Sequence, residues 1–135
     1  MSHQTITSES FYQTIMQQGN LRTPTHAARL TFAVLRTLGF NLGSRVKRDL
    51  ADALPEEMAK DLTRGWRLIN IRHSNLSVHD FAKQVARNSG NTDPKYAQLA
   101  IKVVFRQIKE IIDDRLVRAV ARDLSPDMRD FWNAA

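Results

Sequence analysis

Residues 50–58 read LADALPEEM, and seventy positions later residues 120–128 read VARDLSPDM. With the chain slid by 70, His3 falls on His73, Phe11 on Phe81, Pro24 on Pro94, Ala27 on Ala97 and Val34 on Val104. Arg36 then meets Arg106, Arg45 meets Arg115, Arg48 meets Arg118, Ala51 meets Ala121, Leu54 meets Leu124 and Met58 meets Met128. These are 11 identities in 65 pairs, against roughly 4 from average residue usage. Apolar exchanges extend the match: Ile15 with Val85, Leu35 with Phe105, Leu38 with Ile108, Leu42 with Ile112, Val46 with Leu116 and Leu50 with Val120. No insertion is needed. The recurrence reads as two units, 1–66 and 77–135, joined by 67–76. A unit of about 65 residues is marginal alone. The expectation is therefore one domain in which two halves close their apolar faces on each other.

The recurring residues sit at helix punctuation. Thr23-Pro24 and Asp93-Pro94 both read as an N-cap followed by proline at the first helical position, where the missing N–H has no intrahelical partner to lose. In 24–42, Ala27, Leu30, Thr31, Val34, Leu38 and Leu42 recur at helical spacing; in 94–112, Ala97, Ile101, Val104, Phe105, Ile108 and Ile112 do the same. Each would be about 28 Å long. Gly43 reads as the stop of the first, and Asp113-Asp114 as the break in the second. Shorter helices are expected at 9–18 and 78–88, each with an i, i+4 apolar pair, and at 45–53 and 115–123, basic on one side. The last pair, 55–65 and 126–133, opens near proline with acids in the first turn, which suits the helix dipole. No segment reads as a strand. The nearest, 67–72, reads as an extended connection. The fold class is all-α: about eight helices in two four-helix units, packed as one compact helical bundle.

Composition narrows the function. The 135 residues include no cysteine, which removes disulfides, thiolate metal sites and a cysteine nucleophile and fits a reducing compartment. The N-terminus has neither the basic lead nor the apolar run of a signal peptide. No apolar run approaches membrane-spanning length. The expectation is a cytoplasmic protein with no membrane partner. The net charge of +6 divides evenly, +3 in each half, so no basic tail stands out.

No residue set reads as catalytic. His3, His26, His73 and His79 form no i, i+4 pair and no HExxH, so no metal site and no cofactor are expected. No nucleophile elbow, P-loop or dinucleotide glycine pattern is present. Glu56-Glu57 and Asp113-Asp114 lie at helix starts, where capping and the dipole already account for them. The reading is a protein that is not an enzyme.

The basic helices are the most suggestive set. Arg45, Lys47 and Arg48 occupy one, and Arg115, Arg118 and Arg122 its counterpart. Two such faces on one side of the domain would make a cationic stripe suited to phosphates. Asp49, Asp52, Asp114 and Asp123 lie close enough in sequence to turn the same arginines into surface ion pairs. The candidate interface aromatics are Phe32 and Phe40, which fall off the main stripe of 24–42, together with Trp66 and Trp132 at the unit ends.

One further pattern runs through the chain: the aromatic-started helix of Phe11 and Ile15, the helix of Ala27, Val34, Leu35 and Leu38, then Leu50, Leu54-Pro55-Glu56-Glu57-Met58, Gly65-Trp66, and Phe81 with Val85. It resembles the bacterial domain of unknown function 2267. The second unit departs from it, with Leu124-Ser125-Pro126 for Leu-Pro and Phe131-Trp132 for Gly-Trp. The resemblance implies a small helical domain of two related halves and no established reaction. The first functional reading is a small binding or regulatory module that acts through contacts with a protein partner or a second copy of itself. The alternative is a nucleic-acid-associated protein using helices 45–53 and 115–123. A third is a pocket between the units for a small apolar ligand.

Overall fold

The computed structural model describes residues 7–64, 76–89 and 93–135. These form eight α-helices and, among the described residues, no strand. In chain order they are α1 (Ser8–Gln18), α2 (Pro24–Phe40), α3 (Ser44–Ala53), α4 (Glu56–Arg64), α5 (Val78–Asn88), α6 (Pro94–Ile111), α7 (Asp114–Asp123) and α8 (Pro126–Ala134). Added to 70, the first residues of α1 to α4 give those of α5 to α8, and the last residues agree to within one.

Local chemistry sets these boundaries. The Thr7 and Ser77 hydroxyls accept from the N–H groups of Ser10 (3.1 Å) and Asp80 (3.0 Å). Thr23 and Asp93 accept from His26 N–H (3.1 Å) and Lys95 N–H (2.9 Å), each just ahead of a proline. Each bond satisfies a donor that the first turn leaves unpaired. At the end of α1, Asn20 takes the left-handed conformation (φ 58°), and Leu21 N–H reaches back to Met16 C=O at 2.9 Å. Asparagine tolerates that conformation better than most side chains.

Gly43 does not stop α2. The helix ends at Phe40, where the Asn41 amide donates to Thr37 C=O (2.8 Å) and satisfies a terminal carbonyl. Gly43 is instead the N-cap of α3, in an extended conformation. Its counterpart Asp113 caps α7 with its own carboxylate, which accepts from Leu116 N–H at 2.8 Å.

α2 and α6 pack on each other and carry the core. α1 lies against both, and so does α5. Farther out, α4 packs on α2 and α3, α8 on α6 and α7, and α3 lies against α7. Position by position the core matches across the 70-residue interval. Ala27 and Ala97, Val34 and Val104, Leu38 and Ile108, and Met58 and Met128 are all buried. Four aromatic rings meet in the second half, where Phe105 lies edge-on to Phe81 and Phe131 (5.9 Å each) and to Trp132 (5.1 Å). Among the described residues no helix is long and apolar enough to cross a membrane.

The two halves differ where their long helices meet the last helix. Gly39 lies inside α2, and a Cβ there would press into the Leu62 carbonyl of α4. Backbone therefore packs on backbone. Seventy residues on, the same places hold Lys109 and Trp132, and Lys109 Nζ donates to the main-chain oxygens of Trp132 (2.7 Å) and Ala135 (2.5 Å). A lysine thus bridges α6 to the end of α8, where a cation also suits the helix dipole.

In an exposed helix, replacing glycine by alanine stabilises by roughly 1 kcal/mol. For Gly39→Ala the sign should reverse. The collision with Leu62 predicts a loss of about 1–3 kcal/mol, read as a lower midpoint in urea denaturation. An unchanged or higher midpoint would show that α2 and α4 do not meet so closely.

Candidate functional site

α3 and α7 are short amphipathic helices whose apolar sides, Leu50 in one and Val120 and Ala121 in the other, enter the core. α3 has no capping side chain of its own. Its N-cap amide, Gly43 N–H, donates to Asp123 Oδ2 at the far end of α7 (2.8 Å). That bond joins the start of one helix to the end of the other, so the two run antiparallel. A carboxylate at a helix N-terminus also meets the positive end of the dipole.

A cleft of about 620 Å³ follows the pair along its length. From α3 it is lined by Arg45, Val46, Asp49, Asp52 and Ala53. Asp113, Arg115, Leu116, Ala119 and Arg122 line it from α7 and its cap. The floor is apolar and partly buried, at Val46, Leu116 and Ala119. The six charged side chains are exposed. Three are arginine and three aspartate, so the lining is neutral overall.

The structure thus brings Arg45, Arg115 and Arg122 together, while Arg48 and Arg118 are exposed outside the lining. Lys47 does not belong to the basic surface. It is 5% exposed, because it shares a helix face with Leu50, three residues on. Burial lowers its ammonium pKa from the ordinary value. Trp132 is likewise no interface residue: it is 0% exposed, with its indole N–H donating to Val117 C=O at 3.1 Å. Phe32 and Phe40 are each partly buried within the one chain. Trp66 lies outside the described residues, as do His3, His73 and residues 67–75 of the connection 67–76. Among the described residues no group of three or more histidine, cysteine or acidic side chains is placed to hold a metal ion.

A second cleft, about 520 Å³, opens between α1, α2 and α4. Tyr12, Phe32, Glu57, Lys60 and Asp61 are among its lining. Burial first, and then the negative charges of Glu57 and Asp61, push the Tyr12 hydroxyl up to about 12. This site was not anticipated. Its signal was the like-charged pair Glu57 and Asp61 at i, i+4, an arrangement that works against an isolated helix.

A family described as "Uncharacterized conserved protein (DUF2267)" matches residues 8–131. The chain belongs to this family. The DUF2267 match runs from the first turn of α1 into α8, so both the α3–α7 cleft and the Tyr12 cleft lie inside it. No curated protein matches the chain.

Two outcomes follow from this geometry. Asp123→Ala removes the only side-chain acceptor given to the α3 N-terminus among the described residues, and should cost about 0.5–2 kcal/mol, as loss of an N-cap does. A thermal midpoint unchanged by Asp123→Ala would show that the bond does not hold α3 to α7. For Tyr12, the raised pKa means the folded chain keeps its proton where the unfolded chain has lost it. Tyr12 then stabilises fully below pH 10, and this is lost as pH rises from 10 towards about 12. Ultraviolet titration should show a phenol ionising near pH 12 that disappears in Tyr12→Phe.

Proposed function

We propose that the protein is a non-enzymatic helical module that recognises another protein along the α3–α7 cleft. The observation that carries this reading is the balance of charge in the lining: Arg45, Arg115 and Arg122 against Asp49, Asp52 and Asp113. A nucleic-acid backbone presents one sign of charge and would meet three carboxylates in the groove that holds the arginines. A protein surface offers both signs and apolar side chains, and so suits a cleft with a Val46–Leu116–Ala119 floor. Cysteine-free composition supports a cytoplasmic setting.

The same reading takes the chain as one domain of two related halves, 1–66 and 77–135. The recurrence of helix boundaries supports this, as do packing pairs that exchange under the shift, α1 on α6 with α5 on α2. Under that relation α3 and α7 are counterparts, and the cleft is where the halves present equivalent helices side by side.

A binding series against salt tests the choice between protein and nucleic acid. Labelled duplex DNA and single-stranded RNA should bind weakly even at low salt. Proteins retained from an extract of the source cell should be lost with the double variant Arg45→Glu, Arg115→Glu. Tight binding of DNA or RNA that falls steeply with salt and weakens in Arg45→Ala and Arg118→Ala would replace this reading by the nucleic-acid one.

A further inference from the structure

We infer that the partner of the α3–α7 cleft is a second copy of the chain, laid across it end for end in a two-fold symmetric dimer. The inference rests on reading the cleft as a protein-contact surface, and it names the occupant from the order of charges along it.

The Gly43–Asp123 bond fixes that order. Because α3 and α7 run antiparallel, Arg45 at the start of α3 lies beside Arg122 at the end of α7. Asp52 at the end of α3 lies beside Asp113 and Arg115 at the start of α7. Of the lining residues, one end therefore carries two guanidinium groups, and the other two carboxylates and one guanidinium. Asp123 also belongs to the cationic end, with one oxygen committed to Gly43 N–H. Asp49 sits between the ends, and the apolar floor runs under all of them.

Such a surface complements itself. A two-fold axis in the plane of contact, perpendicular to the cleft, turns each copy's cationic end onto the acidic end of the other. It also brings the two apolar floors together. A lone copy leaves this complementarity unused. Among the described residues, none of the lining aspartates Asp49, Asp52 and Asp113 comes within the 4.0 Å ion-pair distance of a lining arginine. The charged lining is exposed as well. A partner of one charge sign could match only one end.

The test is a charge swap on the full chain, followed by sedimentation and native mass spectrometry. The wild type should sediment as a dimer. Arg45→Asp and Asp52→Arg, each at an exposed position and each checked for retained helicity, should separately weaken the dimer by about 100-fold. Each places like charges face to face at both symmetric contacts. Mixed in equal amounts, the two variants should form a heterodimer near wild-type strength. The new carboxylate at position 45 of one copy then meets the new guanidinium at position 52 of the other, and the native pair meets at the second contact.

A wild type that stays monomeric at high concentration overturns the inference. So does a dimer indifferent to both substitutions, or a mixture of variants that fails to recover. If the chain is monomeric and Arg45→Asp still releases proteins captured from the extract, the dimer alone fails and the protein-contact reading stands.

Discussion

Burial of α2 against α6 is the interaction on which the other helices depend. Each brings a stripe of side chains with no exposure, Ala27, Leu30, Val34 and Leu38 in one and Ala97, Val104, Phe105 and Ile108 in the other. Water is driven from both at once, and neither stripe could be covered by its own short neighbours alone. α1 and α5 then reach across, each lying on both long helices, so that neither half encloses its core without the other. α4 and α8 seal the outer sides. α3 and α7 follow, tethered to those seals and left side by side at the surface.

Near-equality of the halves is what makes their differences informative. At one crossing a glycine lets α2 and α4 touch backbone to backbone; at its counterpart Lys109 spans from α6 to the main chain of α8. At the cleft the difference is electrostatic. Asp113 caps its own helix, while its counterpart Gly43 has no side chain and borrows Asp123 from the opposite helix. A self-sufficient helix on one side and a dependent one on the other are joined by a single carboxylate. The same carboxylate sets the antiparallel direction from which the order of charges along the cleft follows.

Sequence reasoning read the helices closely because their signals are local. Thr23, Ser77 and Asp93 cap where hydroxyl or carboxylate side chains precede an apolar period, and the prolines at 24, 94 and 126 stand in first turns. Reading Gly43 as a stop failed for a different reason. A glycine can end a helix, cap the next one or admit a neighbouring backbone, and only the neighbour decides which. The basic helices were located correctly, but the cleft they share was not. Asp49 and Asp52 looked like surface partners for the arginines, and Asp113 like a chain break, yet all three share the cleft with Arg45, Arg115 and Arg122.

Order along the chain determined by itself where each helix begins and ends to within about two residues, which face of it is apolar, and that no strand is built from the described residues, since capping and 3.6-residue periodicity act within a few positions. Tertiary structure alone decided which faces meet. It turned Lys47 inward beside Leu50, closed the core over Trp132, and set α3 against α7 in opposite directions. The charge of a surface is a sum over elements distant in sequence, and that sum exists only once packing has brought them together.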